Sequence, residues 1–103
     1  MITLPNKVVP YIVQDLLLVT LEAMFVDFED KRLISLIDPT TVSHRVSLLR
    51  DSKVFPTLIE ALDVFGVDDV LRLLAPKLEL ITNDLSLGAD FTTAVEDHLT
   101  DLT

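Results

Sequence analysis

The sequence predicts an all-α domain, a compact bundle of four to six helices joined by short connections, over residues 1–103. Three observations carry that expectation. The stretch Tyr11–Phe28, YIVQDLLLVTLEAMFVDF, reads as a helix that is apolar on nearly all of its circumference. Apolar residues recur at helical spacing in the segments after Pro56 and after Asp90. Only two glycines occur, Gly66 and Gly88, too few for a series of tight hairpins.

Residues 1–9 form a short lead-in between Pro5 and Pro10, and Pro10 suits the first turn of a helix. In the helix that follows, Asp15, Glu22 and Glu29 are spaced by seven, so their carboxylates share one narrow stripe. Leucine, valine, methionine and phenylalanine fill most of the remaining surface. A helix apolar nearly all round is a buried one. A transmembrane span is set aside: Asp15 and Glu22 would lie near mid-bilayer, where a central Asp costs about 2.5 kcal/mol or more. The cluster Glu29-Asp30-Lys31-Arg32 marks a solvated junction at the end of this helix.

Residues 33–49 admit two readings. Leu33, Ser35 and Ile37, then Val42, His44, Val46 and Leu48, alternate as in a hairpin, which would make the fold α+β. The same stretch fits a helix with Asp38 as N-cap and Pro39 at the first helical position. An internal match favours helix. LISLIDPTTVSHRVSLL aligns without gaps on LIEALDVFGVDDVLRLL, which starts at Leu58 and is clearly helical. Two such units would make tandem helical hairpins.

In the second unit Pro56 suits a first turn, Gly66 stops the helix, and Val67 or Asp68 begins the next. Val70, Leu71, Leu74 and Leu78 then face inward. Pro76 should end or kink that helix at Ala75. KLELIT continues as a helical turn or a short strand, and NDLSLGAD is a loop pivoting on Gly88. Asp90 caps a last amphipathic helix with Phe91, Ala94, Val95, His98, Leu99 and Leu102 on one side. The expected core comprises Ile12, Leu16, Val19, Leu21, Phe25, Leu58, Leu62, Phe65, Leu71, Leu74, Leu78, Phe91, Val95 and Leu99.

Composition narrows the function. A net charge of −9 repels nucleic acid and anionic membranes, so neither is an expected partner. Cysteine is absent, which excludes disulfides and thiolate metal sites. The N-terminus lacks the order of a secretory signal, and a cytoplasmic location follows by default, the host's cytoplasm for a viral chain. His44, beside Ser43 and Ser47, lacks the spaced acid of a triad. His98 has Asp97 and Asp101 within one turn but would need further ligands from elsewhere to hold a metal. Asp68-Asp69 is explained by a helix N-terminus, and NDLSLGAD lacks the ligand pattern of a calcium loop. No catalytic residue, metal, cofactor or small-molecule substrate is therefore expected. An enzyme would have to work with Asp and Glu alone.

Half the residues are hydrophobic, and the mean hydropathy of +0.48 is high for a small soluble monomer. Surplus apolar surface is covered by further copies or by a partner. The expected function is a non-catalytic protein–protein interaction module, one that self-associates or binds and regulates a larger protein. Small adaptors, enzyme regulators and viral proteins share this profile. Leu17 and Met24, on the helix wheel, and Arg45, in the basic patch, are the expected partner-binding residues. The alternative is an acidic nucleic-acid mimic that occupies a DNA- or RNA-binding protein through carboxylates between Glu79 and Asp101.

Overall fold

Six consecutive residues, Leu16–Leu21, are buried, and at 100° per residue they cover the whole circumference of a helix. They form the middle of α1 (Val9–Asp27), which packs chiefly against α3 (Pro39–Leu49) and α4 (Phe55–Leu74). A computed structural model describes the backbone of residues 9–78 and 87–102 and the side chains of 13–78 and 87–102. The other helices are α2 (Lys31–Ile34) and α5 (Ala89–Asp101), with a 3-10 turn at Ala75–Lys77. Among the described residues there is no strand. The radius of gyration is 13.0 Å, about that of a compact chain of 100 residues. No helix among the described residues is long and apolar enough to cross a membrane.

The all-round apolar helix is thus an internal axis. Its one fully buried polar side chain among the described residues, Thr20, donates from Oγ1 to the Leu16 carbonyl at 2.7 Å, so that hydroxyl is satisfied within the core. Its carboxylate stripe lies at the edge of the packing: Asp15 and Glu22 are half-buried, and Glu29 is exposed. Burial pushes the Asp15 carboxyl above its ordinary pKa. Glu22 faces Arg50 at 3.6 Å, tying α1 to the end of α3.

Residues 33–34 end α2 and residues 39–49 form α3, and the hairpin alternative is not adopted. Asp38 is the N-cap of α3: its Oδ1 accepts from the Thr40 amide at 3.1 Å and its Oδ2 from the Thr41 hydroxyl at 2.7 Å. Pro39 opens the helix, where its missing N–H is harmless. Val42 and Val46, one turn apart, face the core. The two aligned units are not equal hairpins, however. The first breaks between Ile34 and Pro39, whose aligned counterparts Ile59 and Val64 both lie inside α4. The second breaks at Gly66, opposite Thr41, which is inside α3. Shared apolar spacing produced the match without a shared turn.

Gly66 adopts φ 80° and ψ 166°, a region open essentially to glycine alone. It splits α4 into two helical halves and restarts the chain toward the core, where Val70, Leu71, Leu74 and Leu78 are buried. An added Cβ would meet nothing within 4 Å, so the demand is on the backbone alone. Gly66→Ala is expected to cost about 1–2 kcal/mol of stability by urea unfolding, with no compensating or opposing side-chain clash. At Pro76 the α-helix gives way to the 3-10 turn, as a missing N–H requires.

Three details of the expected layout are corrected. Phe65 is not core: along the stripe Leu58, Leu62, Phe65 the side chains pass from buried to half-buried to exposed. This half of α4 runs out past the packing before Gly66 turns the chain back. Asp90 is not the cap of α5. Gly88 occupies that position with extended backbone and no side-chain cap bond, while Asp90 sits exposed in the first turn. Asp30 is not simply solvated; it is the N-cap of α2 and largely covered. Phe25, Leu62 and Leu99 pack on the core while only partly buried. The Ile12 side chain and residues 79–86, which include most of KLELIT and the first half of the NDLSLGAD loop, lie outside the described residues.

Candidate functional site

The partner-binding residues expected from sequence do not form a surface. Leu17 and Met24 are both 0% exposed, enclosed by the packing around α1, so neither is available to a partner in this fold. The helix wheel left them without a neighbour because the neighbours, α3 and α4, come from distant sequence. Arg45 is half-buried and already engaged. The basic patch is also partly consumed, since Arg50 faces Glu22.

Among the exposed large apolar side chains, which include Val26, Leu36, Leu48 and Val64, three line adjoining grooves at the Gly66 break. Phe65, Leu73 and Leu102 are 58%, 63% and 42% exposed. Phe65 and Leu73 line one shallow groove together with Asp69, Val70 and Arg72. Phe65 and Leu102 line an adjoining one together with Gly66, Val67 and Asp68. Asp69 and Arg72 form an ion pair of 2.7 Å within the surface. The face therefore has apolar anchors on both halves of α4 and at the end of α5, with a neutralised polar pair between them.

Behind this face lies a polar cluster built from three parts of the chain. Both ring nitrogens of His98 on α5 meet carboxylates: Nδ1 lies 2.8 Å from Asp30 Oδ2, and Nε2 lies 2.8 Å from Asp68 Oδ1. Two donors are required, and only the imidazolium has two. Burial pulls the His98 pKa down, but the bonds to Asp68 and Asp30 outweigh it and the net shift is upward. Arg32 binds Asp30 through Nε at 3.1 Å and its terminal nitrogen at 2.8 Å, and the same nitrogen reaches Asp101 at 3.0 Å. With the Arg32 amide also donating at 3.1 Å, Asp30 is held well below the usual carboxylate range, first by the Arg32 side chain and then by His98. The Phe28 ring packs on the imidazole with centroids 5.0 Å apart.

This cluster ties α2, the second half of α4 and α5 together. It leaves His98 no lone pair for a metal or a reacting proton, and among the described residues no group of three or more His, Cys, Asp or Glu side chains is disposed to hold a metal ion. His44 lies exposed in a shallow groove with Pro39, Thr40, Ser43 and Ser47, and the Ser47 hydroxyl is turned to the His44 carbonyl rather than to a ring nitrogen. Of the acidic stretch, Asp90, Glu96, Asp97 and Asp101 are exposed on α5, but Asp101 is engaged by Arg32. Glu79 and Asp84 lie outside the described residues.

Sequence reasoning missed Asp30, Asp68 and the exposed trio. An aspartate directly before Lys31-Arg32-Leu33 was a legible N-cap signal. Nothing local signalled its bond to His98, 68 residues away. Comparison with protein-family models, with curated proteins and with solved structures returns no match.

Proposed function

We propose that this protein is a non-catalytic interaction module that docks the apolar side chains of a protein partner, a second copy or a larger protein it regulates, on the face formed by Phe65, Leu73 and Leu102. The observation that carries this reading is the exposure of these three large side chains around a backbone break that is itself held in place. Large apolar residues left out of a well-packed core and grouped on one face mark interaction sites. Aromatic anchors of this kind concentrate binding energy, with a polar rim excluding water around them. The Asp69–Arg72 pair lends such a rim without leaving a naked charge to desolvate. A non-catalytic role is favoured by the described residues: both ring nitrogens of His98 are taken by carboxylates, and the Ser47 hydroxyl is turned to the His44 carbonyl.

A photo-crosslinking residue at position 65 is expected to give one discrete adduct in the native lysate, and position 93 on the outer side of α5 none. Leu73→Ser is expected to abolish the adduct while leaving the urea midpoint nearly unchanged, because Leu73 is exposed. Light scattering on a sizing column then separates a second copy from another protein. Equal labelling at positions 65 and 93, or an adduct indifferent to Leu73→Ser, would overturn the proposal.

A further inference from the structure

We propose that His98 is a proton-operated latch on this docking face: loss of a ring proton releases Asp68 rather than Asp30, and the release loosens the Gly66 break that sets the groove between Phe65 and Leu102. The latch rests on the docking reading for its purpose, but its mechanics are testable in the isolated chain.

The asymmetry between the two carboxylates decides which bond breaks. A neutral imidazole has one donor nitrogen and one lone pair, and a lone pair cannot stay 2.8 Å from a carboxylate oxygen. Asp30 is 12% exposed and held from the other side by three Arg32 donors, so it cannot withdraw. Asp68 is 46% exposed and has solvent to replace its bond. The neutral ring therefore keeps Nδ1–H toward Asp30, and Nε2 loses the proton. Asp68 is two residues past Gly66 and lines the same groove as Phe65 and Leu102. Its bond to His98 thus ties that groove to α5, next to the Gly66 break in α4.

Other charges around the ring do not compete for the role. From α4, Asp69 and Arg72 are paired with each other. From the junction and α2, Arg32 acts through Asp30, while Glu29 and Lys31 are exposed. From the 3-10 turn, Lys77 is exposed. On α5 itself, Asp97 is exposed and Asp101 is bound to Arg32. Exposed charges of this kind are screened by salt, whereas Asp30, at 12% exposure, is screened much less.

Ring nitrogen chemical shifts of His98, followed by NMR from pH 5 to 9, test the latch. The ring is expected to titrate above the ordinary histidine value of about 6.5 and to end as the Nδ1–H tautomer. The amides of Val67, Asp68, Asp69 and Val70 are expected to shift with the same midpoint. Asp68→Asn should lower the His98 midpoint and remove the amide response. An Nε2–H tautomer at high pH would overturn the proposal, as would amides that ignore the His98 transition. Phe65→Ser should leave the titration unchanged, so a failed docking face and a failed latch leave different records. Where the position-65 adduct forms, its yield should fall as pH rises through the His98 midpoint, and a flat yield would refute the gating.

Discussion

Leu17→Ala is expected to lower the unfolding free energy by about 3 kcal/mol, the scale of a fully buried leucine truncated in a core that collapses only in part onto the gap. For a chain of this size that is a fall in Tm of roughly 15 °C. Leu17 is 0% exposed and lies in a run of buried residues that engages α3 and α4 together. α3 and α4 each pack chiefly on α1 rather than on each other, and α3 is fixed at its start by the Asp38 cap, so the site relaxes only in part around the gap. Met24→Ala should behave alike, because Met24 is also 0% exposed. Urea unfolding at two protein concentrations checks this: the loss should be the same at both. A residue that served only an interface would instead leave the monomer nearly unchanged and make the midpoint depend on concentration.

His98→Gln is expected to cost about 2 kcal/mol near pH 5.5, and the difference from the parent should shrink toward zero as pH rises. Glutamine keeps the reach and one donor but cannot carry charge, and a charged hydrogen bond contributes about 1.5–3 kcal/mol. The partial exposure of Asp68 argues for the lower part of that range. The pH dependence follows from linkage. The folded-state pKa of His98 is raised, so its contribution is fully present below the unfolded value of about 6.5 and is lost as pH rises through the folded one. The Asp30 pKa is lowered, so its contribution is present above the ordinary carboxylate range and is lost as pH falls through its depressed value. The cluster therefore stabilises most between about pH 4 and 6.5. Urea midpoints of parent and variant across pH 4–9 measure this. A gap that stays constant to pH 9 would show that packing, not the imidazolium, is what His98 supplies.

Local chemistry made several elements readable before any fold was in view. Asp38-Pro39 fixes the start of α3 because a side-chain acceptor and a missing N–H both suit that one boundary. Gly66 is the residue of α4 that can take a non-helical positive φ without steric cost, and Pro76 ends the α-helix because it lacks an N–H. The apolar circumference of α1 required burial on all sides, and the central helix of the bundle is its outcome. The same all-round pattern could not say which of its residues a neighbour would reach. Leu17 and Met24 looked available for a partner only because α3 and α4 were not yet placed against them.

Periodicity misled at Phe65 for a related reason. The stripe through Leu58 and Leu62 gives the correct face of the helix but not the point at which the core ends beneath it. The internal match between residues 33–49 and 58–74 erred in the same way, since apolar spacing repeats wherever a helix is amphipathic, whereas turns depend on single residues.

The sequence by itself determined that this chain is predominantly helical, that Gly66 and Pro76 mark breaks and Asp38-Pro39 a helix start, and that it lacks cysteine chemistry. Those properties belong to single residues and to spacings within a few turns. Only the tertiary structure decided that His98 bridges Asp30 and Asp68, that α3 and α4 are what enclose α1, and that Phe65, Leu73 and Leu102 share an open face. Each of these depends on residues far apart in the chain meeting within a few ångströms. Helical spacing specifies which side of a helix is apolar, and packing alone specifies what covers it.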